Sequence, residues 1–109
     1  MGYLKNRDIN VMGNIKILED LKAQLLCIIA ELFKLLTKGS NIAQNSILEC
    51  ISSAIILLYV LADRLGYSFQ EVDNKVKQDI QTGIKAEEQI EQHGKSLSRL
   101  KRYIMNRVE

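Results

Sequence analysis

Apolar residues recur every three or four positions between Asn14 and Lys38, at Ile17, Leu18, Leu21, Leu25, Ile28, Ile29, Leu32 and Leu36. That spacing lines one face of an α-helix and predicts a first helix over this stretch. Lys38 and Gly39 close it: the cation meets the carboxyl end of the helix dipole and the glycine accepts a left-handed backbone. Ser40 or Asn41 can then cap a second helix, roughly Asn41 to Leu65, whose run from Cys50 to Ala62 holds no charge. A helix that is apolar nearly all round is expected to be buried. Glu49 and Asp63 bracket about 13 such residues, and a bilayer crossing needs about 20, so the pattern predicts a core helix and no membrane span.

Gly66 ends the second helix, and Ser68-Phe69-Gln70-Glu71 has the form of a capping box that starts a third. Its stripe is narrow, Val72, Val76, Ile80 and Ile84, and Gly83 weakens it. His93-Gly94 marks a break before a last amphipathic segment with Leu97, Leu100, Ile104 and Val108. The reading is one all-α domain over residues 1–109, with a polar N-terminal segment (1–13) and a basic amphipathic C-terminal segment (94–109). The second helix has too few neighbours in so short a chain to cover it, so an oligomeric helical bundle, a homodimer or larger, is expected.

Composition changes this picture in three ways. Proline is absent, so nothing forces a helix to stop at a fixed φ. The net charge of +2 is too mild to imply nucleic acid, yet it is unevenly placed. From Gly94 onward Lys95, Arg99, Lys101, Arg102 and Arg107 stand against Glu109, a net of +4, which leaves −2 for residues 1–93. Finally, Cys27 and Cys50 lie in apolar helical runs behind a polar N-terminus carrying Lys5, Arg7 and Asp8, which predicts reduced core thiols in a cytoplasmic protein.

The segment Leu57-Leu58-Tyr59-Val60-Leu61-Ala62-Asp63-Arg64-Leu65-Gly66, followed by Tyr67-Ser68-Phe69 and an acidic, lysine-containing helix, resembles the MazG and all-α pyrophosphohydrolase families. The resemblance implies a MazG-like helical bundle. In those families one helix carries Glu-Glu-x-x-Glu and the next Glu-x-x-Asp, and together these hold magnesium against a nucleoside triphosphate. Carried onto this chain, Ala30-Glu31-Leu32-Phe33-Lys34 matches the end of the first motif and puts Glu31 on its last glutamate, with Cys27 and Ile28 on the paired ones. Cys50 falls on the glutamate of the second motif and Ser53 on its aspartate, with Glu49 one residue off; a slip of one would bring Glu49 and Ser52 into play. One acid of the set stays in register. A single carboxylate cannot neutralise a triphosphate and its Mg²⁺ ions.

What this implies is a non-catalytic or vestigial member acting as a binding or interaction module for a nucleotide or protein, with no cofactor. Its vestigial site would comprise Cys27, Glu31, Lys34, Glu49, Cys50 and Ser53. Lys34, three residues along the helix, is the candidate counter-ion for Glu31 in a closed remnant of the pocket; the alternative is a pair that points to solvent. An active enzyme would instead need Glu31 and Glu49 with acids such as Asp63, Glu71 or Asp73 to hold magnesium. A third reading is a structural partner that binds through its basic C-terminal helix, with Glu87, Glu88 and Glu91 offsetting part of that charge. Zinc held by Cys27, Cys50, Glu31 and Glu49 lacks the spacing of a finger or ribbon. His93 reads as a helix-end residue, and Ser52 and Ser53 as small packing residues rather than nucleophiles.

Overall fold

In the computed structural model, which describes residues 2–38, 44–86 and 89–106, every regular element is a helix. The chain divides into two units, residues 1–67 and 68–109.

The first unit is built on α1 (Gly2–Lys38) and α2 (Gln44–Arg64), which pack on one another. Helix α1 begins a dozen residues before the expected start at Asn14, so the polar segment 1–13 is helical from Gly2. Polar side chains and a lone Gly13 weaken a helix without ending it, and no proline interrupts the stretch. The expected stop at Gly39 and the caps at Ser40 or Asn41 lie outside the described residues. Only five residues separate the two helices, so α2 must run back along α1 in an antiparallel hairpin.

Each helix offers the other a stripe spaced three and four apart. On α1 it is Leu21, Leu25, Ile28, Leu32 and Leu35, with Leu21 and Leu35 buried and the others half-buried. On α2 it is Ile47, Cys50, Ala54, Leu57 and Leu61, all half-buried. Leu35, absent from the stripe read in the sequence, closes this seam, whereas Leu36 is 56% exposed.

Helix α2 ends in a Schellman motif. The Tyr67 N–H donates to the Ala62 carbonyl at 3.0 Å and the Gly66 N–H to that of Asp63 at 3.0 Å. Gly66 holds φ at 98°, a conformation that side chains strain, although a Cβ there meets nothing within 4 Å. Gly66→Ala is therefore expected to lower stability by about 1 kcal/mol through backbone strain alone, read as a drop in thermal midpoint.

The second unit comprises α3 (Phe69–Lys85), α4 (Gln89–Gln92) and α5 (Ser96–Met105), with α5 packed on α3 and α4. The expected capping box is formed: the Glu71 N–H donates to Ser68 Oγ and the Ser68 N–H to Glu71 Oε1, both at 3.0 Å. Ile80 of α3 and Ile104 of α5 are buried. Gly83 is also buried and does not interrupt α3, which runs to Lys85. The expected break at His93-Gly94 is present, with Gly94 at φ 103° and Lys95 at φ 55° reversing the chain in successive left-handed residues.

Lys95 sits at the N-cap of α5 and makes no side-chain cap there. Glu91 does that work from α4. Its carboxylate accepts the Ser98 N–H at 3.0 Å through Oε1 and the Ser98 hydroxyl through Oε2, placing a negative charge against the amino end of α5. The Ser98 hydroxyl bond, helped by the Ser98 amide and Lys95, holds the Glu91 carboxyl below its ordinary value of 4.5, against the opposing effect of lost hydration. A carboxyl whose pKa is lower folded than unfolded stabilises the fold above the unfolded value, and the stabilisation disappears as the pH falls through the folded one. Glu71 is lowered in the same direction by the Ser68 amide. Acidification below about pH 4.5 is therefore expected to loosen α3–α5, and Ser98→Ala should lower the melting temperature at pH 7 while flattening its fall with acid. An unchanged acid profile in Ser98→Ala would show that the cap contributes nothing.

Candidate functional site

The two sides of the α1–α2 hairpin differ in character. In an antiparallel pair, the residues that follow each seam position on the two helices come to one side, and those that precede it come to the other. The following residues are Lys22, Leu26, Ile29, Phe33 and Leu36 on α1 and Leu48, Ile51, Ile55, Leu58 and Ala62 on α2. All but Lys22 are apolar, and all but the half-buried Ile29 and Ala62 are exposed. The preceding residues are Asp20, Gln24, Cys27, Glu31 and Lys34 on α1 and Ser46, Glu49, Ser53, Ile56 and Val60 on α2, a largely polar side.

On its face turned away from α1, α2 carries an open groove of about 540 Å³, lined among the described residues by Asn45, Leu48, Glu49, Ser52 and Ser53. Of the residues read as a vestigial site, Glu49 and Ser53 come together there. Glu31 and Lys34 lie on the polar side of the hairpin by helical register, outside the groove; both are exposed, and no ion pair joins them among the described residues. The closed, buried pair is thus not found, because the flank they occupy lies beside the seam rather than in it. Cys27 is exposed for the same reason, which corrects its reading as a core thiol; Cys50, on the seam, is half-buried. The groove takes Glu49, Ser52 and Ser53 and leaves out Cys50. Asn45 was not read as a site residue, although it precedes Glu49 by one helical turn, the spacing that puts two side chains on one face.

Asp63 is exposed at the end of α2, Glu71 is engaged in the α3 capping box, and Asp73 is half-buried on α3. Among the described residues no three His, Cys, Asp or Glu side chains form a group able to hold a metal ion.

A family model described as the MazG-like family matches residues 11–97, most of the chain. The chain belongs to the MazG-like family. No curated protein and no solved structure matches it. The match begins within α1 and ends in α5, so it takes in the hairpin, the groove and the Gly66 turn. The magnesium that the MazG resemblance implies does not fit the groove's described lining. The groove offers one carboxylate, an amide and two hydroxyls, whereas a hard divalent cation beside phosphates needs several anionic oxygens.

Proposed function

We propose that this MazG-like chain is a non-catalytic member that works as a self-associating binding module, its α2 groove being the remnant of a nucleotide site. The observation that carries the reading is the composition of that groove, where Glu49 is the sole carboxylate among Asn45, Leu48, Ser52 and Ser53. Without a metal to neutralise a triphosphate, the same hydroxyls and amide suit a neutral polar ligand or a polar contact from another protein. Self-association is supported by α2, which has no buried residue and presents a second apolar stripe, Leu48, Ile51, Ile55 and Leu58, between 41% and 64% exposed.

The alternative cover for that stripe is lipid. By length and composition α2 could cross a membrane, with a mean hydropathy of 1.8 over its most apolar window. Glu49 within the helix and the polar Ser52 and Ser53 beside it favour protein as the cover, since a carboxylate near hydrocarbon is costly.

The catalytic question is tested by assaying pyrophosphate release over a panel of nucleoside triphosphates while Mg²⁺ is titrated. The expected result is no release above the uncatalysed rate. Magnesium-dependent release that vanishes in Glu31→Gln or Glu49→Gln would establish an enzyme with an altered acidic site instead.

A further inference from the structure

The net charge of the chain argues against a polyanionic partner, but the arrangement of α5 concentrates charge where the average conceals it. Ser96–Met105 contains Arg99, Lys101 and Arg102 and no acid. At about 100° per residue, Arg102 and Asn106 lie about 160° around the helix from the buried Ile104, and Arg99 about 140°. The outward face of α5 is therefore its most basic one. Lys101 is turned aside, its ammonium donating to the Gln81 side chain of α3. Of the acids that flank α5 in sequence, Glu91 is committed to the Ser98 amide and hydroxyl and to Lys95 at the other end of the helix, and Glu109 lies outside the described residues. Among the described residues no ion pair holds Arg99 or Arg102.

These two arginines line an open hollow of about 430 Å³ together with Asn106 and Tyr103, a residue 64% exposed. Arg99 and Arg102 rise about 4.5 Å apart along the axis, and their long side chains can spread to successive phosphates of one strand. Tyr103, next in sequence to Arg102, supplies a face on which a base can stack, and Asn106 supplies an amide for a base edge. A lipid surface fits less well. An interfacial helix inserts its apolar stripe, and here Ile104 at the centre of that stripe is buried in the unit. Duplex nucleic acid hides its base faces, which leaves Tyr103 without a role.

We propose that the outer face of α5, formed by Arg99, Arg102, Tyr103 and Asn106, is a binding site for single-stranded nucleic acid. The guanidinium groups hold phosphates and the phenol ring stacks on a base. The proposal is independent of the hairpin groove and of any nucleotide chemistry there.

The test is fluorescence anisotropy of the full chain with labelled oligothymidylate and oligouridylate of twenty nucleotides at about 50 mM salt. Saturable binding is expected, weakening as salt rises. Arg99→Ala with Arg102→Ala should lower affinity at least tenfold and flatten the logarithmic salt slope by about 1.4, the release of two counterions from a single strand. Tyr103→Ala should lower affinity about tenfold with the salt slope retained. Lys75→Ala, which removes an exposed ammonium paired with Asp79 at 3.0 Å, should change nothing. Circular dichroism confirms folding of each variant, since all these side chains are exposed. The proposal is overturned by absence of binding, by equal binding of the double arginine variant, by equal affinity for a duplex of the same length, by competition from free nucleoside monophosphates at equal phosphate, or by comparable binding to vesicles of phosphatidylserine.

Discussion

Ile55→Glu combined with Leu58→Glu is expected to convert an oligomer into a monomer of 12.4 kDa and to lower its thermal stability, as read by light scattering and melting at low micromolar concentration. Ile55 is 50% exposed and Leu58 51%, one turn apart on the apolar side of the hairpin, with Leu48 and Ile51 continuing their stripe and Leu26, Phe33 and Leu36 beside it on α1. Complete burial of a Leu, Ile or Phe side chain stabilises by about 1.5–3 kcal/mol, and about half of each remains to be covered here. Summed over these residues, covering the side is worth several kcal/mol per chain, enough to offset much of the cost of bringing two molecules together. The face is contiguous and continues from one helix to the other, unlike the scattered apolar side chains of an ordinary surface. Glutamates in its middle would need a partner or water, so the interface opens. Because both positions lie beside the seam and not in it, the hairpin seam is left intact and a folded monomer is the expected product. A wild-type chain that is already monomeric and monodisperse would end the oligomer reading, and one recovered with vesicles would replace it with a membrane one.

The sequence carries the number and nature of the long helices plainly, because each has a stripe of its own and the turn chemistry between α2 and α3 is local. Gly66 and the Ser68–Glu71 box depend on residues within one turn of one another, and both form as their identities require. What periodicity cannot distinguish is which of two apolar stripes meets the same chain. On α1, Ile28 and Ile29, or Leu35 and Leu36, serve equally well in a helical pattern; the direction of approach of α2 decides between them. That choice places Cys27, Glu31 and Lys34 on a flank. The start of α1 was likewise illegible, since a helix can run through polar residues without showing a pattern. In the second unit the cap supplied by Glu91 lies seven residues from its target, beyond the reach of any local motif, while Lys95 offers no cap of its own. The family could be read from ten residues around Asp63, but the register of the acids on α2 could not, because the substituted motif there leaves only Glu49 beside it.

That register makes the last prediction. If the groove of Asn45, Glu49, Ser52 and Ser53 is the remnant of an acidic site, then Ser52→Asp should restore a Glu-x-x-Asp pair at the positions where the fold still turns both side chains into one concavity. Two carboxylates one turn apart, with the Asn45 amide oxygen one turn before them, offer hard oxygens to Mn²⁺ or Mg²⁺. So small a set, open to water, should bind weakly, with a Kd on the order of 10⁻³ M by comparison with the weakest calcium modules. Titration calorimetry should detect that binding in Ser52→Asp and none in the wild type. The opposite register makes the opposite forecast. Cys50→Glu with Ser53→Asp puts a carboxylate on the α1–α2 seam, where Cys50 is half-buried, so it should lower stability through desolvation and gain no metal. Binding by the second variant with none by the first would restore the unslipped register, and saturable binding by the wild type would show that its acids are not lost at all. Neither variant should release pyrophosphate, because a pair of carboxylates on one helix still lacks the acids that the neighbouring helix contributes in an active site of this kind.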